Sequence, residues 1–291
     1  MREQKPLLAA LLVLCASAFA AGSTLMAKAV GSGALGPALH PLQVSQGRFF
    51  FAFLAISTFV AIKRPSLSRP NFGLHLGRSL LGWSGVTLMF AAAVYIPLSD
   101  ATAISFLNPV FAMVFAVIFL SETVGKWRWF AAAISFTGAM ILLRPGADSI
   151  QAGALFALGA AVLLGGEAIL IKRLTNTDGP IQILLINNSV GLAIATVAAA
   201  PFWIWPSPLQ WACLAGVGLL MISAQAFFTN AMMRADASFV SPFFYAALVF
   251  AALYDGLFFE QWPDLISVTG ALIILSGAIV LAWRETVRKG G

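Results

Sequence analysis

Few side chains in this sequence can do chemistry, and most of those that can stand inside long apolar runs. Glu167 is the clearest, in Leu164-Gly165-Gly166-Glu167-Ala168. An ionisable group in apolar surroundings is expensive and marks a functional site by default. This carboxylate either binds a cation such as a substrate amino group, carries a proton, or is held by Lys172 or a backbone donor. Arg48 stands near the start of another run. It pairs with a substrate carboxylate, pairs with an acid such as Asp100, or snorkels to the surface on its long stem. Asn108 precedes Pro109, and a proline inside a helix removes a backbone donor and bends the chain, freeing a carbonyl toward a cavity. Ser241 and Tyr245 are one helical turn apart and share a face, with Pro242 marking a second bend. Asn108, Ser241 and Tyr245 are the expected centre of a polar site. Trp83, unlike the other tryptophans, lies well inside its run, where it stacks on a ligand or packs. Thr87, Gln225 and Asn230 form hydrogen bonds between helices or line the same cavity. The candidate small-molecule site is therefore Trp83, Thr87, Asn108, Glu167, Gln225, Ser241 and Tyr245, with Pro109 and Pro242 as bend residues.

Other chemistries lack their parts. The only histidines, His40 and His75, do not form H-E-x-x-H, and both cysteines, Cys15 and Cys213, fall inside apolar runs. A metal site or a disulfide framework is not expected. Neither G-x-S-x-G nor the phosphate-binding G-x-x-x-x-G-K-[ST] occurs. The expectation is a protein that is not an enzyme, with no cofactor and no ATP hydrolysis of its own.

The elements that carry these residues follow from composition. Of 291 residues, 60% are hydrophobic and 10% charged, against about 25% charged in soluble domains. Apolar runs fall at about 6–29, 43–62, 73–95, 100–121 and 127–143, then at about 151–173, 181–203, 208–231, 237–257 and 262–283, each near the length a bilayer demands. A spanning segment must satisfy its own backbone, so these are helices. The sequence predicts an all-α polytopic membrane protein with ten transmembrane helices. The start, with Arg2 and Lys5 before Ala18-Phe19-Ala20, resembles a signal peptide, but its apolar run continues to Ala27 and is read as a retained first span.

Positive charge orients the spans. With the N-terminus inside, Arg2, Lys5, Lys63, Arg64, Arg69, Arg78, Lys126, Arg128, Lys172, Arg173, Arg234, Arg284, Arg288 and Lys289 are cytoplasmic, and only Lys28 and Arg144 are outside. Both termini are then cytoplasmic. The net charge of +6 is explained without nucleic acid. The expected partners are the lipid bilayer and a small-molecule substrate, with proton coupling left open by Glu167.

The two halves echo each other. Ala21-Gly22 with Lys28 aligns with Gly165-Gly166 and Lys172, and Pro41-x-Gln43 with Pro180-x-Gln182. Asp100-Ala101 with Ser105 aligns with Asp236-Ala237 and Ser241. Glu122 and Gly138-Ala139 align with Glu260 and Gly277-Ala278. Five spans per copy is odd, so the second copy sits inverted, the architecture of many secondary transporters.

Asn108-Pro109-Val110-Phe111, Phe119-Leu120-Ser121-Glu122 and Gly138 to Leu143 resemble the EamA repeat of the drug/metabolite transporter superfamily, as does Arg48-Phe49. The second copy carries Phe258-Phe259-Glu260 and Gly270 to Gly277. It departs in its proline, Pro242, which lies further before Glu260 than Pro109 does before Glu122. The resemblance implies two inverted five-helix EamA repeats, 1–146 and 147–291. It implies a carrier of the bacterial inner membrane. The nearest likeness is to YddG-type exporters of aromatic and other amino acids. Purine, vitamin, nucleotide-like and drug carriers of the same family are the alternative, and a membrane sensor or scaffold without transport is a further one.

Overall fold

The computed structural model describes residues 6–67, 69–120, 126–143, 151–174, 177–232 and 246–289. Among these residues the chain is helical, with no strands. The helices are α1 (Pro6–Gly31), α2 (Pro41–Lys63), α3 (Phe72–Tyr95), α4 (Leu98–Ser105), α5 (Asn108–Leu120) and α6 (Lys126–Leu143). They continue as α7 (Ala152–Leu174), α8 (Pro180–Ala199), α9 (Pro208–Met232), α10 (Ala246–Phe259) and α11 (Leu265–Lys289), with a 3-10 turn at Ala200–Phe202 after α8. Six stretches are long and apolar enough to cross a membrane: Leu7–Gly31, Pro41–Lys63, Leu98–Phe119, Ala152–Ile171, Pro180–Phe202 and Pro208–Phe228. Large apolar side chains such as Leu54, Phe59, Val197, Leu219 and Leu257 face outward. In water such a surface would aggregate; in lipid it is matched. The protein is a multi-pass membrane protein.

Local chemistry starts the helices where the sequence offers caps. His40 caps α2, its Nδ1 accepting from Leu42 N, with Pro41 next, where a missing N–H costs nothing. Asn71 caps α3 through Leu74 N, and Asp264 caps α11 through Ser267 N. Before α9, Ser207 Oγ accepts from Gln210 N while Gln210 Oε1 accepts from Ser207 N, a reciprocal capping box.

The fourth apolar run is broken rather than continuous. α4 ends at Ser105, Phe106 and Leu107 turn, and α5 restarts at Asn108. Pro109 falls in the first turn of α5, where its ring fits and no hydrogen bond is lost. The expected bend at this proline is therefore a full interruption of the helix. The corresponding bend at Pro242 lies outside the described residues.

Between helices, α1 runs along α9, α3 along α7, α2 along α8 and α6 along α11. Close approach depends on missing side chains. A Cβ on Gly138 of α6 would lie 2.6 Å from the carbonyl oxygen of Gly270 in α11. Small residues of this kind let helix backbones meet in lipid, where no hydrophobic force drives them together.

Candidate functional site

A cavity of about 360 Å³ lies between the helices. α1 contributes Ala20, Ala21 and Thr24, α3 Val86, Met89 and Phe90, and α7 Leu164, Glu167, Ala168 and Ile171. Thr102 and Ser105 come from α4, Asn108 from the start of α5, Met221 from α9 and Ala247 from α10. The interruption before α5 brings Phe106 and Asn108 to this space, and its backbone is buried in protein and hydrogen-bonded within the turn, as irregular backbone at membrane depth must be. The wall is mostly apolar with a few polar groups, the usual make-up of a small-molecule site.

Glu167 is the ionisable residue of the wall. Its Oε1 lies 3.2 Å from Nε of Arg78, and the two side chains are 14% and 5% exposed. Arg78 also donates from Nη1 to the carbonyl of Ile183 in α8 at 3.4 Å. A Cβ on Gly82 of α3 would lie 2.6 Å from Oε1 of Glu167, so a glycine is what makes room for the carboxylate. Arg48 of α2 is 2% exposed and lies within Coulombic reach of both Glu167 and Arg78. Its guanidinium rests 4.2 Å over the ring of its neighbour Phe49. Its Nε and Nη1 are buried and find no hydrogen-bond partner among the described residues.

Both ends of the bundle are tied by buried polar contacts. At the end where α1 finishes, Lys28 donates to Asp255 of α10 and, at 2.8 Å, to Gln261. Asp255 also accepts from the backbone N–H of Leu98 at the start of α4. Lys28 lies 4.7 Å over the Phe259 ring. At the other end, His75 donates from Nε2 to Asp178 in the segment between α7 and α8, and Gln182 donates to the same carboxylate at 3.1 Å. Burial pushes the Asp178 carboxyl up, but the hydrogen bonds from His75, Thr177 and Gln182 and the charge on His75 outweigh it and hold the group below its ordinary range.

Of the candidates read from the sequence, Glu167 and Asn108 meet in one cavity. Thr87 does not line it: its hydroxyl donates to Ser45 of α2 at 2.8 Å, a bond between helices. Trp83 is half-buried on α3 with its Nε1 enclosed, and Gln225 is half-buried on α9; neither lines the cavity. Ser241, Pro242 and Tyr245 lie outside the described residues. Asn230 donates to the carbonyl of Ala226 within its own helix and lines a separate apolar groove.

Arg78, counted from the sequence among the cytoplasmic charges, is a buried residue of α3, 4% exposed. Arg48 neither snorkels nor pairs with Asp100, which instead accepts from Ser267. Glu167 meets Arg78; the side chain of Lys172, the partner named from the sequence, lies outside the described residues. Position was the available signal for Arg78, because the run at about 73–95 already enclosed it. Asp255 carried the same signal, an acid inside the run at about 237–257. The tie between His75 and Asp178 joins residues 103 positions apart and had no sequence signal.

Comparison with known proteins agrees with this architecture. A solved crystal structure shares the fold, with a TM-score of 0.61 over 93% of this chain and 98% of that one, at 18% identity. The S-adenosylmethionine uptake transporter of Rickettsia bellii is 28% identical over 252 residues, 86% of this chain and 87% of its own length. The riboflavin transporter of Vibrio cholerae is 34% identical over 228 residues, 76% and 75%. The pseudopaline exporter of Pseudomonas aeruginosa is 27% identical over 223 residues, 75% and 77%. The EamA-like transporter family matches twice, over residues 7–144 and 151–283. With its broken fourth segment, its central cavity and this double match, the chain belongs to the EamA-like transporter family of the drug/metabolite transporter superfamily.

Proposed function

We propose that this protein is a carrier of the bacterial inner membrane that exports amino acids or similar small metabolites by alternating access. The carrying observation is the cavity at Glu167 and Asn108, lined by helices from both halves and backed by buried charge. The carboxylate is a polar anchor in an apolar wall, and its arginine partner keeps it from being a bare charge. The names of the relatives favour a second reading, in which the cargo is another metabolite, because those proteins carry S-adenosylmethionine, riboflavin and pseudopaline. They also include both uptake and export.

We read the chain as ten spans in two inverted repeats, 1–146 and 147–291, with both termini cytoplasmic. The helix pairing supports this. Exchanging each helix for its counterpart turns the α1–α9 pair into the α7–α3 pair, and both are long interfaces. The α2–α8 and α6–α11 pairs join counterparts directly, as a two-fold axis in the membrane plane requires. Such halves exchange conformations and open the cavity to each side in turn.

Uptake into proteoliposomes tests the function, with labelled amino acids, purines, riboflavin and sugars, each with and without a pH gradient. Saturable amino-acid flux is expected. A response to the gradient means that protons contribute, and flux of another compound alone selects the second reading. Glu167→Gln should lower the flux more than Arg234→Gln at matched expression, and equal rates would remove Glu167 from the cavity's work.

A further inference from the structure

The charges around the cavity do not balance. Two buried guanidinium groups, Arg48 and Arg78, face the carboxylate of Glu167, so among the described residues one positive charge is in excess here. Arg78 is ion-paired with Glu167 at 3.2 Å and donates from Nη1 to Ile183, while its Nε, like that of Arg48, makes no hydrogen bond among the described residues. Arg48 has no such partner: Nε and Nη1 are enclosed and unsatisfied among the described residues. A buried charge without a partner is strongly unfavourable, and the ring of Phe49 offers only a weak substitute.

The surroundings of Arg48 are also short of partners. Position 187 of α8 lies one turn from Ile183, which touches Arg78, and one turn from Gly191, which receives the Phe49 ring. Asn187 therefore stands between the two arginines, and its Oδ1 is buried and unsatisfied. On α3, Ser79 Oγ and Trp83 Nε1 are in the same condition. They stand between Arg78 and Thr87, which bonds to Ser45 on α2. On α9, a Cβ on Gly218 would lie 2.8 Å from the Arg48 carbonyl oxygen, so α9 packs directly on α2 there, and Met221, nearly one turn on, lines the cavity. The Arg48 backbone thus packs about a turn of α9 from the cavity wall, and its guanidinium lies behind that wall, beside Glu167, which is part of it.

We propose that Arg48, with Arg78 and Glu167, is an anion subsite that takes the carboxylate of the transported metabolite. This rests on the carrier reading and narrows its substrate class to monocarboxylates and zwitterions. A guanidinium presents paired donors that match a carboxylate. A monocarboxylate anion cancels the single excess charge, and a zwitterion, which adds no net charge, is held by matching its carboxylate to the guanidinium groups and its ammonium to Glu167, whereas a phosphate dianion would overshoot. The incoming carboxylate takes the donors of Arg48 and competes with Glu167 for Arg78. Glu167 is then free to accept the ammonium group of a zwitterion or a proton.

The experiment is ligand-dependent thermal stabilisation of the purified full-length protein, using pairs that differ only in charge. L-phenylalanine is set against L-phenylalaninamide, L-leucine against L-leucinamide, and 3-phenylpropanoate against 3-phenylpropanamide. The expected result is that at least one acid stabilises the wild type and its amide does so at least ten-fold more weakly in concentration. Arg48→Gln should abolish that preference and Arg48→Lys should retain part of it, while Arg69→Gln, in an exposed loop, behaves as wild type. If Arg48→Gln does not fold, the wild-type comparison and Arg48→Lys decide. Equal stabilisation by acid and amide, no response to any acid, or an acid preference that survives in Arg48→Gln would each overturn the subsite. Saturable flux of an uncharged compound that is unchanged in Arg48→Gln would overturn it while leaving the carrier reading intact.

Discussion

Arg78 and Glu167 hold each other in a place where either alone would be a bare buried charge. Removing one partner of such a pair costs about 3–5 kcal/mol, whereas replacing both by apolar residues is often neutral. Arg78→Met should therefore lower the melting temperature of the purified protein more than the double change Arg78→Met with Glu167→Leu. A double variant that loses as much as the sum of the single variants would show the pair to be energetically idle. The glycine opposite makes a second prediction at this scale. Gly82→Ala places a Cβ 2.6 Å from the carboxylate oxygen, so Glu167 must leave Arg78, and both stability and flux should fall. Gly73→Ala is the control, because its Cβ would meet only the Asn71 side chain at an ordinary 3.6 Å. Glu167 and Asn108 were legible as site residues because polar groups inside apolar runs stand out. Arg78 was not, since a basic residue near the end of a run reads equally well as an inside-loop charge. Only the direction of its side chain, back into the bundle, separates the two.

At the scale of elements, buried ties at the two ends of the bundle hold helices that a carrier has to separate. Lys28 and Asp255 join α1, α10 and the start of α4. Asp255→Asn removes the charge that Lys28 needs and weakens the acceptor for Leu98 N, so it should destabilise the protein. Cysteines placed at that end, at Ser32 for example, should then react faster with a water-soluble maleimide. Unchanged labelling would mean that the tie does not close that end. The other tie is acid-sensitive. Asp178 has a folded-state affinity for protons below that of the unfolded chain, so its contribution is present above the ordinary value of 3.8 and is lost as pH falls through the lower folded-state value. The stability difference between wild type and Asp178→Asn should stay constant from neutral pH to about 4 and shrink below it. A difference that already shrinks between pH 7 and 5 would overturn the assignment to Asp178. The helices themselves followed from apolar run length and from caps such as Asn71 and Ser207. The break at Phe106–Leu107 is a finer matter: Pro109 signals a disturbance but does not say whether the helix bends or stops.

For the whole molecule, the test is topology. Ten spans with cytoplasmic termini place Leu35 outside and Ser66 inside. In a background lacking Cys15 and Cys213, Leu35→Cys should be labelled from the periplasmic side, and Ser66→Cys only after the membrane is opened. The reverse pattern would invert the protein, and labelling of both from one side would break the ten-span reading. Both matched halves supply helices to one cavity, α1, α3, α4 and α5 from the first and α7, α9 and α10 from the second.

Helical class, membrane residence, family and the suspicion of Glu167 were determined by the sequence alone. They rest on local quantities, namely the length of apolar runs, the rarity of charge and the position of caps and prolines, which act over a few residues. The tertiary structure decided which charges meet. Arg78 with Glu167, Lys28 with Asp255 and His75 with Asp178 join residues 89, 227 and 103 positions apart. Such pairings depend on how helices rotate and cross, which small residues at their contacts determine. No periodicity within one helix encodes the rotation of its neighbour. That Arg48 Nε and Nη1 find no hydrogen-bond partner among the described residues is likewise a property of the packed bundle.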